Sequence, residues 1–276
     1  MSSSREIDSG ADFSTDSVQI DGDEFRMYTN SDGSELPSVS EVLDARPTPE
    51  KDASIEGWRN WLKGQPDRPD PDEVLSYKGW RGTLAHYKAL APLARYELAG
   101  EEEFQAYEGL KGWEYRHDDA LAQAEKDVEW FVEQFRQIAH DWGIAKYDSS
   151  NNVIENRARA VEQAVVDEDV GYAGRYDLLY ETHDGRIIVC DLKTSNAKSV
   201  SDLFDKKFPR YGMQLAAYAR ASDFDVDEIQ MIWISPDSRS ASMITEDQFP
   251  KTREEYEDQF IDCAEQLHDG ALANYY

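Results

Sequence analysis

The clearest pattern of apolar and polar residues lies in the middle of the chain. Residues 176–181 and 186–193 are rich in β-branched and aromatic side chains, and His183, Asp184 and Gly185 separate them. Such runs are typical of strands, and Gly185 can adopt the positive φ of a tight turn. We predict a β-hairpin with a three-residue loop.

This loop length defines the register, because Thr182 then faces Arg186 and Asp177 lies opposite Asp191, about 5 Å away at Cβ. The face of the two carboxylates also carries Arg175, Val189 and Lys193, whereas Leu178, Tyr180, Ile188, Cys190 and Leu192 form an apolar face. Directly opposed like charges destabilise a sheet, so the pair indicates a site for a hard divalent cation. The alternative is an exposed acidic face, but the apolar run before Asp191 favours a buried strand.

Helices and strands are predicted to alternate around the hairpin. Helices are expected at 55–63, 81–92, 117–142, 199–207, 209–221 and 252–269, strands at 158–166, 228–235 and 240–245, and a small hairpin at 17–29. A short helix capped by Ser38 or Ser40 should follow the small hairpin. This alternation predicts an α/β fold with helices on both faces of a sheet.

The domain organisation is predicted to be simple. Residues 1–17 are polar and acidic, and we expect a disordered tail. Residues 18–276 are expected to form a single domain, with the N-terminal hairpin and a helical insertion at about 100–145. A proline-rich segment at 65–72 is interpreted as a linker.

The composition is strongly acidic. The chain of 276 residues carries 57 Asp and Glu against 29 Lys and Arg, a net charge of −28. Its many aromatic residues predict a folded protein, and such a surface suits high salt, where the Debye length is about 3 Å at 1 M. We expect a protein of a halophilic archaeon or its virus; an acidic protein with basic partners is the alternative. No apolar run reaches membrane length, so we expect a cytoplasmic location and no membrane partner.

Positive charge is concentrated in two stretches. Residues 74–96 contain four Lys or Arg and no Asp or Glu, and residues 186–220 contain seven against three. These stretches contain His86 and the pair Asp191 and Lys193. Because Lys and Arg bind phosphates, a nucleic-acid groove is predicted, with chance clustering as the alternative.

Four short motifs occur in order along the chain: Gly82-Thr-Leu-Ala-His86, Gly174-Arg-Tyr-Asp177, Asp191-Leu-Lys193-Thr-Ser and Gln214-Leu-Ala-Ala-Tyr218. Together with the segment 37–43, they resemble the RecB-like branch of the PD-(D/E)XK nuclease superfamily. The resemblance implies a restriction-endonuclease-like core, in which helices flank both faces of a central mixed β-sheet. It also implies one or two Mg²⁺ or Mn²⁺ ions as cofactors.

Site residues follow from the resemblance. Asp177 and Asp191 match metal-binding carboxylates, His86 and the carbonyl of Leu192 match further ligands, and Lys193 matches the lysine that activates water and stabilises charge. Glu162 lies where relatives often have an acidic residue, and its role stays open. The substrate-binding candidates are Gln214, Tyr218, Arg175, Lys198, Lys206, Lys207 and Arg210. Two cysteines cannot hold the four-cysteine iron–sulfur cluster of some RecB-like nucleases, so no cluster is expected.

These observations predict a metal-dependent deoxyribonuclease, exonuclease or endonuclease, that acts in recombination, repair or viral DNA processing. DNA is the expected partner, together with a helicase or a recombination or replication protein. Two alternatives stay open: a non-cleaving nucleic-acid-binding or scaffold protein with the same fold, and a hydrolase of another phosphoester.

The net charge generates a first prediction. Because salt screens the repulsion between surface carboxylates, the free energy of unfolding should rise between low and molar KCl. Denaturant titrations at several KCl concentrations measure it. Equal stability at low and molar KCl would contradict the adaptation to high salt.

Overall fold

The structure is a computed structural model that describes residues 14–20, 23–29, 33–45, 49–64, 70–94, 120–195, 197–204 and 208–272. The strands are β1 (Ser14–Ile20), β2 (Asp23–Thr29), β3 (Glu35–Pro37), β4 (Ala145–Tyr147), β5 (Val153–Asn156), β6 (Ala158–Asp167), β7 (Tyr172–Glu181), β8 (Ile187–Thr194), β9 (Glu228–Ser235) and β10 (Ser240–Ile244). The helices are α1 (Val39–Asp44), α2 (Pro49–Lys63), α3 (Pro71–Leu90), α4 (Ala120–Asp141), α5 (Val200–Phe204), α6 (Phe208–Arg220) and α7 (Arg253–Asp269), with 3-10 turns at Ala91–Leu93 and Glu246–Gln248.

A five-stranded sheet in the order β10-β9-β8-β7-β6 forms the centre of the fold. The strands β8 and β9 are parallel, and the other neighbours are antiparallel. Helices α1, α6 and α7 cover one face through residues such as Leu215 and Phe260, and α3 and α4 cover the other through Leu90, Phe131 and Phe135. The predicted α/β fold, a central mixed sheet between two helical layers, is confirmed.

The central hairpin has the predicted register. Leu178 pairs with Cys190 and Glu181 with Ile187, and the N–H of Thr182 donates to the carbonyl of Arg186 at 2.9 Å. Gly185 has φ +87°, as the three-residue loop requires. The next pair in this register is Asp177 and Asp191.

Both faces of the hairpin are buried, because a helical layer covers each side of the sheet. The predicted apolar face, Leu178, Tyr180, Ile188, Cys190 and Leu192, packs against α3 and α4, while Val189 and Leu179 belong to the core on the other side. Asp191 is only 2% exposed. The alternative of a solvent-facing acidic hairpin is therefore wrong.

Several predicted boundaries need correction. Helix α3 begins at Pro71, not near Arg81, so it takes up the end of the segment interpreted as a linker. Proline is favourable in the first turn of a helix, where its missing N–H is not needed. Strand β1 begins at Ser14, so the predicted tail is too long by four residues. Residues 1–13, and residues 100–119 of the predicted insertion, lie outside the described residues, and the domain organisation stays a prediction.

The N-terminal hairpin is part of a three-stranded sheet that attaches to the centre of the fold. Ser38 bridges to Ala173 of β7, and its Oγ accepts the N–H of Glu41 at 3.2 Å, which caps α1. Met27 and Val39 lie in the same core layer as α6 and α7. In the part of the chain that the structure describes, no helix combines the length and the apolar character that crossing a membrane requires.

A second prediction concerns Gly174. A Cβ at this position would lie 2.6 Å from Cε1 of Tyr218 and 2.8 Å from Cγ2 of Val39. Because both neighbours are packed in the core, Gly174→Ala should destabilise the fold by about 1–3 kcal/mol. Chemical denaturation measures the change.

The matched control is Gly79→Ala in α3, where an added Cβ has no atom within 4 Å. Alanine favours a helix interior over glycine by about 1 kcal/mol, so this variant should be as stable as the wild type or more stable. Equal stability of the two variants would show that the close approach at Gly174 is not required.

Candidate metal and catalytic site

Three side chains converge at one point beside the central sheet. His86 comes from α3, Glu162 from β6 and Asp177 from β7, and one ligand atom of each lies within 4.8 Å of the others. All three side chains are partly buried. Imidazole nitrogen and carboxylate oxygens are donors for divalent cations, so this cluster is a candidate metal site.

Glu162 has an unusual backbone conformation within β6. Val161 pairs with Leu178 and Gln163 with Tyr176, so Glu162 lies across from Asp177. Its φ is +49°, the left-handed region that few residues other than glycine adopt. Such strain costs on the order of 1–3 kcal/mol and occurs often at functional sites. The sequence indicated an acidic residue here without a role; only the pairing of β6 with β7 brings it to His86.

Asp177 is held by two contacts. Its Oδ2 accepts the backbone N–H of Leu192 at 2.6 Å and lies 3.6 Å from Nδ1 of His86. The imidazole of His86 in turn stacks on Phe131 of α4, with 6.1 Å between ring centroids. His86 therefore links the Asp177 carboxylate to the helical layer formed by α3 and α4.

Asp191 and Lys193 form a buried ion pair on β8. The Nζ of Lys193 lies 2.5 Å from Oδ2 of Asp191 and 5.3 Å from the centre of the Tyr211 ring. The ammonium of Lys193 thus engages this oxygen, which is itself fully buried. A metal ion that also bound Asp191 would have to share the carboxylate with Lys193.

The electrostatics of the site follow from crowding of carboxylates in a buried space. Burial and the nearby Asp177 raise the pKa of Glu162 to about 7. Burial also raises the pKa of Asp191 to about 6, where Lys193 opposes the shift and Asp177 adds to it. Burial acts to raise the pKa of Asp177 as well, but His86 and Lys193 outweigh it, so this pKa is lowered.

The two cationic groups respond in the opposite direction. Burial acts to lower the pKa of both His86 and Lys193. The negative charge of Asp177 more than offsets this effect at His86, and the negative charge of Asp191 does so at Lys193. Both pKa values are raised. Lys193 thus stays an ammonium ion, and a cation at the cluster would relieve the repulsion among the three carboxylates.

Comparison with known proteins identifies the family. The family model of the PD-(D/E)XK nuclease superfamily matches residues 56–275. The chain belongs to this superfamily. No curated protein matches the chain. Among solved structures, the crystal structure of SSO0001 shares 16% identity, with 68% of this chain and 81% of that chain covered, at a TM-score of 0.29.

Superfamily membership indicates a nuclease, and PD-(D/E)XK nucleases generally use divalent metals. The donor set agrees with this property, because carboxylate oxygens suit Mg²⁺ and Mn²⁺ and an imidazole is tolerated by Mn²⁺. The N–H of Leu192 is used by Asp177. The predicted role of its carbonyl as a ligand stays a prediction, as do the individual roles of the other site residues.

Two glycines of the superfamily-like motifs mark contacts between those motifs. A Cβ at Gly82 would lie 3.2 Å from Oγ1 of Thr194, which follows Lys193. A Cβ at Gly174 would meet Tyr218. The small residues therefore let α3 approach the end of β8, and α6 approach β7.

Gln214 and Tyr218 share one face of α6, as their spacing predicts. The Nε2 of Gln214 donates to the hydroxyl of Tyr218 at 2.9 Å, and Tyr218 is 5% exposed. Burial raises the pKa of this phenol, and the nearby Asp191 adds to the effect. Tyr218 thus packs directly behind the site, and Gln214 is the more accessible of the two.

The basic candidates for substrate contact separate into three groups. Arg210 is engaged with Asp44 of α1 at 2.6 and 3.0 Å, so its guanidinium ties α6 to α1. Arg175 and Lys198 are exposed on either side of the Asp191 and Lys193 pair in sequence. Lys206 and Lys207 lie outside the described residues.

A third prediction follows from the raised pKa of Glu162. Between its ordinary value and about 7, the folded protein holds a proton that the unfolded chain releases, so this group's contribution to stability falls as pH rises. Metal ligands must be deprotonated, so stabilisation by Mg²⁺ or Mn²⁺ should grow from pH 5.5 to 8. At 100 times the dissociation constant the gain is about 2.7 kcal/mol, several degrees in Tm.

Thermal melts at constant KCl, with and without metal, measure this dependence. Glu162→Gln should reduce the metal-induced shift, whereas Glu168→Gln, at an exposed position, should not. If the metal-induced rise in Tm is the same at pH 5.5 and pH 8, and the same in Glu162→Gln and Glu168→Gln, Glu162 is not a metal ligand.

Proposed function

We propose that this protein is a RecB-like, metal-dependent deoxyribonuclease that hydrolyses phosphodiester bonds with Mg²⁺ or Mn²⁺. The observation that carries the proposal is the convergence of His86, Glu162 and Asp177 beside the buried pair Asp191 and Lys193. The order of the motifs supports the RecB-like branch.

The cation would be held by Asp177 and Asp191, with His86, Glu162 and the carbonyl of Leu192 as further ligands. A divalent ion at such a site polarises the phosphate and lowers the pKa of bound water. The fit rests on the donor set of His86, Glu162 and Asp177, whose ligand atoms lie within 4.8 Å of one another. The contact from the N–H of Leu192 orients the Asp177 carboxylate toward His86.

Lys193 is placed to stabilise negative charge during hydrolysis. Its raised pKa keeps the ammonium protonated, and its side chain is 19% exposed, so a phosphate oxygen can reach it. The ring of Tyr211 covers one side of the ammonium and restricts its motion. Preorganised donors of this kind are worth about 10²–10³ in rate.

The distribution of charge supports DNA as the substrate. The protein is acidic overall, yet Arg175 lies exposed two residues before Asp177, and the exposed Lys198, together with Lys206 and Lys207, follows Lys193 in sequence. A polymeric anion would be attracted to this region and repelled elsewhere. A role in recombination, repair or viral DNA processing, alongside a helicase or a replication protein in a salt-rich cytoplasm, is part of the proposal.

A fourth prediction separates chemistry from metal binding. Lys193→Ala should lower cleavage of linear and circular DNA by about 100-fold or more, because it removes charge stabilisation. Asp177→Asn should abolish cleavage as well. The two variants differ in a second measurement: Lys193→Ala should keep a metal-induced rise in Tm, and Asp177→Asn should lose most of it.

Cleavage is measured in molar KCl with Mg²⁺ or Mn²⁺, and circular dichroism verifies the fold. Lys251→Ala, at an exposed position outside both basic stretches, is the matched control and should cleave like the wild type. Full activity of Lys193→Ala would contradict the assignment. DNA binding by the wild type without cleavage would instead favour a non-cleaving protein with this fold.

A further inference from the structure

Tyr211, in the first turn of α6, contacts the candidate site although none of the four sequence motifs contains it. The ammonium of Lys193 lies 5.3 Å from the centre of its ring, within the range of about 6 Å at which a cation and an aromatic face attract each other. Tyr211 precedes Gln214 by three residues and Tyr218 by seven, so the three side chains lie along one face of the helix. The face of α6 that meets the site is therefore one turn longer than the motif indicates.

The backbone around Tyr211 is fixed by its two neighbours in sequence. The guanidinium of Arg210 donates to both carboxylate oxygens of Asp44 in α1, at 2.6 and 3.0 Å. A Cβ at Gly212 would lie 2.5 Å from the ring of Tyr256, so α6 approaches α7 as closely as a glycine allows. These contacts hold the first turn of α6 against two helices, and Tyr211, between them in sequence, reaches β8.

The ammonium of Lys193 needs a second contact to be held in one position. An ammonium has three N–H donors on a flexible four-carbon stem, and the carboxylate of Asp191, at 2.5 Å, can use only part of them. The ring of Tyr211 supplies the second contact from another element of the fold. The position of the ammonium is therefore defined jointly by β8 and α6.

The hydroxyl of Tyr211 is available to a ligand. Among the residues that the structure describes, none forms a hydrogen bond with it, and the side chain is half-buried. Burial raises the pKa of this phenol; Lys193 opposes the effect and Asp191 adds to it, so the phenol lies in the electrostatic field of both residues. A phenol is a neutral hydrogen-bond donor near pH 7.

Tyrosines that serve only the core are held differently. The hydroxyl of Tyr172 donates to the carbonyl of Ala217 at 2.8 Å, and that of Tyr180 donates to Oε1 of Gln230 at 2.6 Å. Both side chains are almost completely buried, at 0% and 1% exposure. Tyr211 is more open and its hydroxyl is unused, which agrees with a contact to a ligand and not with packing alone.

We propose that Tyr211 is a further residue of the active site, which positions the ammonium of Lys193 through its ring and donates its hydroxyl to the phosphate that is cleaved. This inference rests on the proposed nuclease function. In a site crowded with ionic groups, a neutral phenol adds a donor for a phosphate oxygen without adding a further charge to be buried. Lys193 and Tyr211 would thus present adjacent donors to one phosphate from β8 and α6.

Two substitutions separate the hydroxyl from the ring. Tyr211→Phe keeps the ring and should lower kcat/KM for DNA about 10-fold or more, because a hydrogen bond to a charged group is lost. It should lower kcat/KM for the small diester bis(p-nitrophenyl) phosphate by a similar factor, since the contact is to the reacting phosphate. Tyr211→Leu should lose about a further 5-fold with DNA, because the ring no longer holds the ammonium.

The matched control is Tyr256→Phe, which removes a hydroxyl from a tyrosine that is 1% exposed and packs next to Gly212. This variant should cleave both substrates like the wild type. Circular dichroism and the metal-induced rise in Tm verify the fold and the metal site, and both should be unchanged in Tyr211→Phe. In a Lys193→Ala background, Tyr211→Leu and Tyr211→Phe should be equally active, because the ring has no ammonium left to position.

The outcomes separate the parts of the proposal. Wild-type kcat/KM of Tyr211→Phe, or a loss with DNA alone, would overturn the contact with the reacting phosphate. A further loss in Tyr211→Leu that persists without Lys193 would overturn the positioning role.

Binding of a DNA duplex with Ca²⁺ distinguishes this inference from the proposed function. If the wild type binds DNA but cleaves neither substrate, the nuclease proposal is refuted. About 10-fold weaker binding by Tyr211→Phe would then leave the phosphate contact standing, whereas equal binding would refute the contact as well.

Discussion

Three carboxylates buried side by side are the constraint on which the site depends. Glu162, Asp177 and Asp191 project from β6, β7 and β8, with the imidazole of His86 and the ammonium of Lys193 nearby. Burial, with a smaller effect of Asp177, raises the pKa of Glu162 and of Asp191, whereas Asp191 and Asp177 raise the pKa of Lys193 against the effect of its burial. The arrangement is costly for a folded protein and becomes favourable when a divalent cation joins it. A bound divalent cation would therefore offset the local cost of burying these carboxylates together.

The close packing of helices on the sheet holds these groups in place. Gly174 lets Tyr218 and Val39 approach β7, and Gly82 lets α3 approach Thr194 at the end of β8. His86 is further supported by Phe131 of α4, and Arg81 is tied to the same helix through Asp127. The glycines of these motifs therefore have a structural role: they lie where the helices contact the strands of the sheet.

Much of the hairpin could be predicted because its information is local. The loop length sets the register, and the register places Asp177 opposite Asp191 and separates the apolar face from the polar one. The start of α3 was predicted wrongly, because prolines that suggest a linker can also begin a helix. The ion pair between Arg210 and Asp44 could not be predicted either, because the two residues lie far apart in the sequence.

The sequence by itself determined the α/β class, the hairpin with its register, the superfamily-like motifs and the contrast between an acidic chain and two basic stretches. These features depend on side-chain periodicity, turn chemistry and composition, all of which are properties of neighbouring residues. Only the tertiary structure decided that Glu162 joins His86 and Asp177, and that Arg210 is engaged with Asp44. Such contacts arise from the pairing of distant strands and the docking of helices, which no local pattern encodes.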